Sequence, residues 1–300
     1  MSELRLSPLE NRSLLRLSGR DAKGFLQNLV TNDLEVLSDT QALYSALLTP
    51  QGKFLHDFIL LQWENNIFLD CLGERRADLI RRLTMYKLRA DVTIEDVTAD
   101  YRLFAIFGND TASLISPSLS EGNVKAHEDH LLYSDPRLAN LGHRVIAKRT
   151  ANWKDQYPAF KAVEPVSYIK HRLSLGVPEG GIDITPEKNF LLEANFEELQ
   201  GVSFSKGCYV GQELTARTKH RAKIKKRLFQ FIFEGPLSVG DAISSKGKEI
   251  AVVTSFEAPY GLAFIRLSDW QKINANEAPI SPEGLVITKP EYVELPREES

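Results

Sequence analysis

The sequence predicts an α+β protein that ends in a small β-barrel, on three observations. Short strand-like runs alternate with stretches of helical period as far as about residue 220. From Leu228 onward only short β-type runs remain, Leu228–Phe233, Glu249–Phe256 and Gly261–Leu267, with Gly, Pro and Ser between them. Between the two regions lies Arg217–Arg227, which holds seven Lys/Arg and no acid. A chain of 300 residues is too long for one ordinary core, so two or three domains are expected. The boundary falls at 223/224: residues 1–223 make the α+β region, and 224–300 the barrel with an acidic tail carrying Glu291, Glu294, Glu298 and Glu299.

The elements follow in order. Leu14–Leu17 reads as a strand stopped at Gly19, and Asp21 then stands at the N-cap of a helix with Phe25, Leu26, Leu29 and Val30 at helical spacing. Residues 42–48 and 54–63 read as strands around Thr49-Pro50-Gln51-Gly52, where Pro and Gly are turn formers. Ile67–Leu72 is a further strand. Residues 75–88 read as a helix with Leu79, Ile80, Leu83 and Leu88 as its buried stripe. Strands are expected over 91–97, 101–107 and 143–149, with an irregular polar stretch over 109–140. Pro165 suits the first turn of a helix that buries Ile169 and Leu173 and stops at Gly176.

Composition narrows the function classes. The chain is 43% hydrophobic and 26% charged, with a net charge of -3, which is ordinary for a globular protein and wrong for one coated to bind nucleic acid. Its longest apolar runs, such as Phe58–Leu61, are too short to span a bilayer, so no membrane partner is expected. The N-terminus, Met-Ser-Glu-Leu-Arg-Leu, has neither an apolar signal core nor a long Arg/Ser-rich stretch free of acids, and a cytoplasmic protein is expected. The two cysteines, Cys71 and Cys208, are far apart and form no Cys-x-x-Cys pair, which fits a reducing compartment. Two thiols also fall short of the four that an iron–sulfur cluster normally takes.

The most unusual segment is Gly201–Glu213, GVSFSKGCYVGQE. Gly207 and Gly211 bracket Cys208 and free the backbone to turn sharply or to approach a ligand. Gln212–Arg217 is good helix material, so Cys208 is expected in a loop just ahead of a helix N-terminus. The positive end of that helix and the nearby Lys206 would favour the thiolate. Glu213 suits the first helical turn or a ligand contact. Two readings of Cys208 stay open on this chemistry: a functional thiol, or a small buried side chain in a tight turn. Cys71, within Phe68–Leu72, reads as strand core.

Lys206-Gly207-Cys208-Tyr209-Val210-Gly211-Gln212-Glu213 resembles the Lys-Gly-Cys-[Tyr/Phe]-x-Gly-Gln-Glu signature of the YgfZ family. That family lies in the superfamily of the glycine-cleavage T-protein, a tetrahydrofolate-dependent aminomethyltransferase, and is related to a mitochondrial iron–sulfur assembly factor. Further segments are similar: Phe25–Asp33, Leu48–Phe54, Tyr86–Val92, Asp135–Arg137, Leu141–Arg144, Gly176–Gly180 and Leu192–Asn195, so the likeness covers about residues 10–270. The resemblance implies a ring of two interwoven α+β domains plus a C-terminal β-barrel, with a tetrahydrofolate-type ligand in the central channel. It implies support for iron–sulfur client or assembly proteins, including radical enzymes that modify tRNA, with Cys208 as the functional thiol and Lys206 as its neighbour. Carried onto this chain, the folate-binding positions would be Asn32, Asp33, Tyr168, Gly207, Tyr209, Gly211, Gln212 and Glu213.

The chain also departs from that pattern. Where aminomethyltransferases carry two adjacent aspartates, it reads His56-Asp57, so a catalytic carboxylate would be Asp57 alone. Neighbouring strand residues face opposite ways, so His56 and Asp57 are not expected to meet. Tyr168 stands where some relatives have a channel tryptophan, and it either stacks a pterin or packs on the core. A second channel tryptophan is replaced near Arg12. Asn32 and Asp33 fit either turn chemistry or the folate channel. His127 and His130, with no partner cysteine, read as a solvated loop without a metal. The basic run reads as a solvated linker, as a site for a polyglutamate tail, or as a weak RNA contact. The rival functions are therefore a tetrahydrofolate-dependent one-carbon transferase and a tRNA-binding module.

Overall fold

The computed structural model describes residues 4–108, 121–157, 160–220, 224–275 and 279–295. Among them are three sheets. The first is five-stranded, in the order β3 (Leu43–Leu48), β4 (Phe54–Trp63), β5 (Asn66–Leu72), β2 (Arg12–Ser18), β6 (Thr93–Asp96). The second is six-stranded: β11 (Lys161–Ala162), β1 (Arg5–Pro8), β7 (Tyr101–Phe107), β10 (His143–Lys148), β9 (His130–Ser134), β8 (Val124–Ala126). The third follows the basic run: β13 (Ala242–Ser245), β14 (Lys248–Glu257), β15 (Tyr260–Arg266), β12 (Lys226–Ile232), β16 (Val286–Thr288). The first two are interwoven, because β1 pairs with β7 whereas β2, four residues further on, pairs with β5.

Strand alternation explains how the first sheet is covered. Leu15, Leu17, Phe58, Leu60 and Leu69 face one way and pack with Leu26 of α1 (Ala22–Gln27) and with Leu79 and Leu83 of α2 (Arg76–Lys87). Leu14, Ile59, Leu61 and Phe68 face the other way, into one core with Leu103, Phe107, Leu131 and Ile146 of the second sheet. Tyr168 of α3 (Pro165–Ser174), Phe196 and Tyr209 join that core. Most strands and helices stand where the sequence placed them, and α4 (Gln212–His220) begins four residues after Cys208.

Several expectations are corrected. Residues 124–134, read as irregular, hold β8 and β9, because Leu131, Leu132 and Tyr133 are buried on both faces and no alternation marks them. Residues 109–120 of the same stretch lie outside those described. His130 is buried on β9, its ring stacked on His127 at 4.2 Å and its Nε2 3.0 Å from the Tyr157 hydroxyl, so this is not a solvated loop. Leu88 is 88% exposed: α2 ends at Lys87, and the backbone turns to φ 46° at Leu88, which swings its side chain outward. Ile169 is exposed, and α3 buries Tyr168, Arg172 and Leu173 instead. The barrel region carries two strands that were not expected, β13 and β16, and a short helix, α5 (Leu267–Asn274).

Candidate functional site

Two places attract attention: the loop around Cys208 and the polar centre between the first two sheets. The loop is tied down ahead of Cys208 by hydrogen bonds to the end of α1. Ser203 N donates to Thr31 O at 3.0 Å, and Thr31 Oγ1 donates to Gly201 O at 2.7 Å. Lys206, 7% exposed, turns inward. Its Nζ donates to Gln27 O at 2.7 Å and to Val30 O and Asn32 O at 2.8 Å. The ammonium thereby satisfies the Gln27 carbonyl, which the end of α1 leaves orphaned, and two carbonyls of the turn that follows. Burial draws Lys206 down to about 8, with Asp33 acting in the opposite sense.

On the other side of Cys208, Tyr209 is buried in the shared core, and burial pushes its phenol up to about 12. Between these two anchors Cys208 is exposed. Gly211 has φ +82°, and a Cβ there would meet Thr49 O at 2.6 Å, so the turn into α4 admits only glycine. Gly207 is different. It needs no left-handed backbone, and a Cβ would have nothing within 4 Å. Gln212 N donates to Tyr209 O at 3.2 Å as α4 begins, and Glu213 is exposed in its first turn.

The polar centre was missed as a unit in the sequence. Arg12 donates from Nε to Asp70 Oδ1 at 2.6 Å and from Nη1 to Glu179 Oε1 at 3.0 Å. Arg144 donates to Asp70 Oδ2 at 2.7 Å and to Asp135 Oδ2 at 3.0 Å, and Arg137 to both oxygens of Asp135. Arg172 donates to Asp183 Oδ2 at 2.7 Å. All of these side chains are buried. Burial opposes the charge on Glu179, yet Arg12 and Arg172 hold it down at about 2. The quoted segments Asp135–Arg137 and Leu141–Arg144 contained three of these eight residues, but charge pairing across 58 to 167 residues leaves no periodicity to read.

Asp57 lies at the edge of this centre. Its Oδ2 accepts from the Tyr44 hydroxyl at 2.8 Å and from Gly180 N at 3.3 Å, and a Cβ on Gly180 would sit 2.1 Å from Oδ1. His56 points to the opposite face, with Nε2 2.8 Å from Asp78 Oδ2, as the strand period requires. Burial pulls His56 down to about 4, against the hydrogen bond it donates to Asp78. The sign for stability follows. Below pH 6.5 the unfolded chain takes up this proton and the fold does not. Stability is therefore expected to fall as pH drops from 6.5 to 4, by up to about 1.4 kcal/mol per pH unit from this group. Urea titrations across that range should show a shallower fall for His56→Gln.

The residues expected to hold a folate are committed to the protein itself. Asn32 donates to Tyr44 O and Gln200 O and accepts from Asp33 N. Asp33 accepts from Gln27 Nε2 and Glu35 N, which hold its carboxyl below the usual range. Tyr168 lies edge-on to Phe107 at 5.6 Å, its hydroxyl accepting from Arg144 at 3.5 Å. Tyr168 packs in the core, whereas Asn32 and Asp33 are half-buried in the turn after α1, where the Asn32 carbonyl also accepts from Lys206 of the Cys208 loop at 2.8 Å. The basic run is also partly spent. Lys219 pairs with Glu197, Lys226 with Glu193, and Arg227 is buried against Asn195 and Glu198, while residues 221–223 lie outside those described.

Comparison with known proteins places the chain. The GCVT N-terminal domain family matches residues 9–151, and the CAF17 C-terminal beta-barrel domain matches residues 225–288. The structure is similar to a glycine cleavage system aminomethyltransferase T from Bartonella henselae, with a TM-score of 0.77 over 97% of this chain and 86% of that one, at 18% identity. That likeness shows the fold, a T-protein-type α+β architecture with a C-terminal β domain. Iron-sulfur cluster assembly factor IBA57, mitochondrial, from Homo sapiens is 33% identical over 280 residues, 86% of this chain and 76% of that protein. The Dictyostelium discoideum homologue is 29% identical over 84% of this chain and 67% of its own length. These relatives are named as mitochondrial, which overturns the expectation of a cytoplasmic protein read from the first residues. The narrower likeness to YgfZ proteins rests on the Cys208 motif. With a human relative matched over three quarters of its length, the chain belongs to the family of the iron–sulfur cluster assembly factor IBA57, within the T-protein superfamily.

Proposed function

We propose that this chain supports the assembly of iron–sulfur clusters and that Cys208 is the thiol that meets the cluster. The observation that carries the reading is the exposure of Cys208 between two buried anchors, Lys206 and Tyr209. A thiolate on such a mount is accessible to iron and held in place. Cys71 has no comparable access: it is buried, and burial pushes its thiol up to about 12. One accessible thiol is too few for a cluster of the usual four-thiolate kind, so the cluster is cargo shared with a partner protein that supplies the remaining ligands. The relatives named as iron–sulfur cluster assembly factors support the same role.

The test is made in cells from which the natural protein has been removed. Cluster-dependent enzymes, radical tRNA-modifying ones included, are expected to lose most of their activity and to regain it when the chain is restored. Enzymes without a cluster serve as the reference. Equal losses in both classes would sink the reading. A folate is given no part here, because Asn32, Asp33 and Tyr168 are bonded within the protein, and Asp57 as an aminomethyl-transfer carboxylate is occupied by Tyr44 and Gly180. Tetrahydrofolate in excess should leave the melting temperature in place, whereas a dose-dependent rise would restore the folate site.

A further inference from the structure

Beside the Cys208 loop lies a surface that the cluster role leaves unexplained. Gln27 and Val30, whose carbonyls hold Lys206, flank Asn28 and Leu29, and these line a cavity of about 460 Å³ together with Gly24, Phe25, Tyr86 and Ala90. Next to Tyr86 and Ala90 in the chain, the end of α2 and the residue after it leave apolar side chains in water: Met85 is 65% exposed and Leu88 is 88% exposed. Leu88 is held there at φ 46°, a conformation that costs a non-glycine residue energy. Burying Leu88 would remove apolar area from water, and the chain does not do so.

Two glycines on this side have no internal cause. Gly24 sits inside α1, where glycine costs about 1 kcal/mol against alanine, and a Cβ there would meet nothing within 4 Å. The same holds for Gly207, next to Cys208. Their missing side chains leave room for something outside the chain to approach each of them closely. The charges around Leu88 define what approaches. Lys87 and Arg89 flank it in sequence without an acidic partner among the described residues, whereas Arg20, at the cavity, is already paired with Asp91 at 3.2 Å and has Asp21 beside it in the lining.

We propose that this surface docks the partner protein that shares the cluster, through a segment with an apolar side chain for the cavity and acidic residues for Lys87 and Arg89. The proposal rests on the cluster role of Cys208 and adds where the partner sits. Gly24 stands three residues before Gln27, whose carbonyl holds Lys206, the neighbour of Gly207, so docking beside α1 and presentation of the partner's cluster to Cys208 become one event.

The experiment compares Gly24→Gln, Leu88→Asp and the pair Lys87→Glu/Arg89→Glu with Cys208→Ala in cells lacking the natural protein, at equal protein levels. Gly24, Leu88 and Arg89 are exposed and Lys87 is half-buried with no side-chain ion pair among the described residues, so melting temperature should hold in all three surface variants, and alkylation of Cys208 by iodoacetamide should proceed at the wild-type rate. Cluster-enzyme activity is expected to fall by about fivefold or more in each, as for loss of an interface anchor. If Gly24→Gln and Leu88→Asp both keep wild-type activity, the docking surface is overturned. If Leu88→Asp loses activity while Lys87→Glu/Arg89→Glu keeps it, the acidic partner is overturned. If the wild type sediments as a dimer and Leu88→Asp as a monomer, the occupant is a second copy and the proposal falls. Full activity of Cys208→Ala would instead refute the thiol role itself, which the surface variants do not test.

Discussion

Cys208→Ala is expected to reduce the activity of cluster-dependent enzymes to the level of cells without the protein while leaving the fold intact. Cys208 is exposed, so its sulfur contributes little packing, and a surface substitution of this kind shifts stability by about 0.5 kcal/mol or less. Lys206 and Tyr209 continue to anchor the loop, because neither contact involves the sulfur. The loss is therefore one of chemistry. Cys71→Ala is the mirror control. It removes a buried thiol whose Sγ donates to Ser13 O at 3.6 Å, so it should cost about 1 kcal/mol or more of stability and retain activity at equal protein level. Thermal melts and enzyme assays on both variants decide the matter: wild-type activity in Cys208→Ala would make the cysteine structural.

Asp70→Ala is expected to have the largest effect on stability. Its carboxylate accepts from Arg12, Arg144 and Tyr133, all buried, at 2.6, 2.7 and 3.1 Å. Removing it leaves two guanidinium groups in the interior facing each other without their shared counter-ion. Breaking one partner of such a buried set costs about 3–5 kcal/mol, a large part of a domain's net stability. Glu64→Ala, which removes the exposed partner of Lys148, should cost about 1 kcal/mol or less and calibrates the measurement. Urea unfolding reads both. A loss below about 1 kcal/mol for Asp70→Ala would mean that water enters the centre and screens the arginines.

The amino-acid sequence by itself determined the local elements and the position of the thiol. Apolar runs bounded by turn residues and period-3.6 patterns lie in consecutive residues, so β4, β5, α2 and α4 were legible, and Gly211 before Gln212 marked the turn into α4. The compartment was not legible in the same way: the first residues suggested the cytoplasm, and the mitochondrial relatives corrected it. The tertiary structure alone decided what each polar side chain is for. Lys206 looked like a neighbour that tunes Cys208, but its ammonium reaches back 174 to 179 residues to cap α1. Arg12 looked like a lost tryptophan, yet it is one corner of a buried network closed by Asp70 and Glu179. Leu88 fitted the apolar stripe of α2 until the helix stopped one residue earlier and turned it outward. The physical reason is the same in each case. Helical and strand periodicity is enforced by backbone hydrogen bonds between near neighbours, whereas the partner of a buried charge, and the exact end of a helix, depend on groups brought together only when distant segments pack.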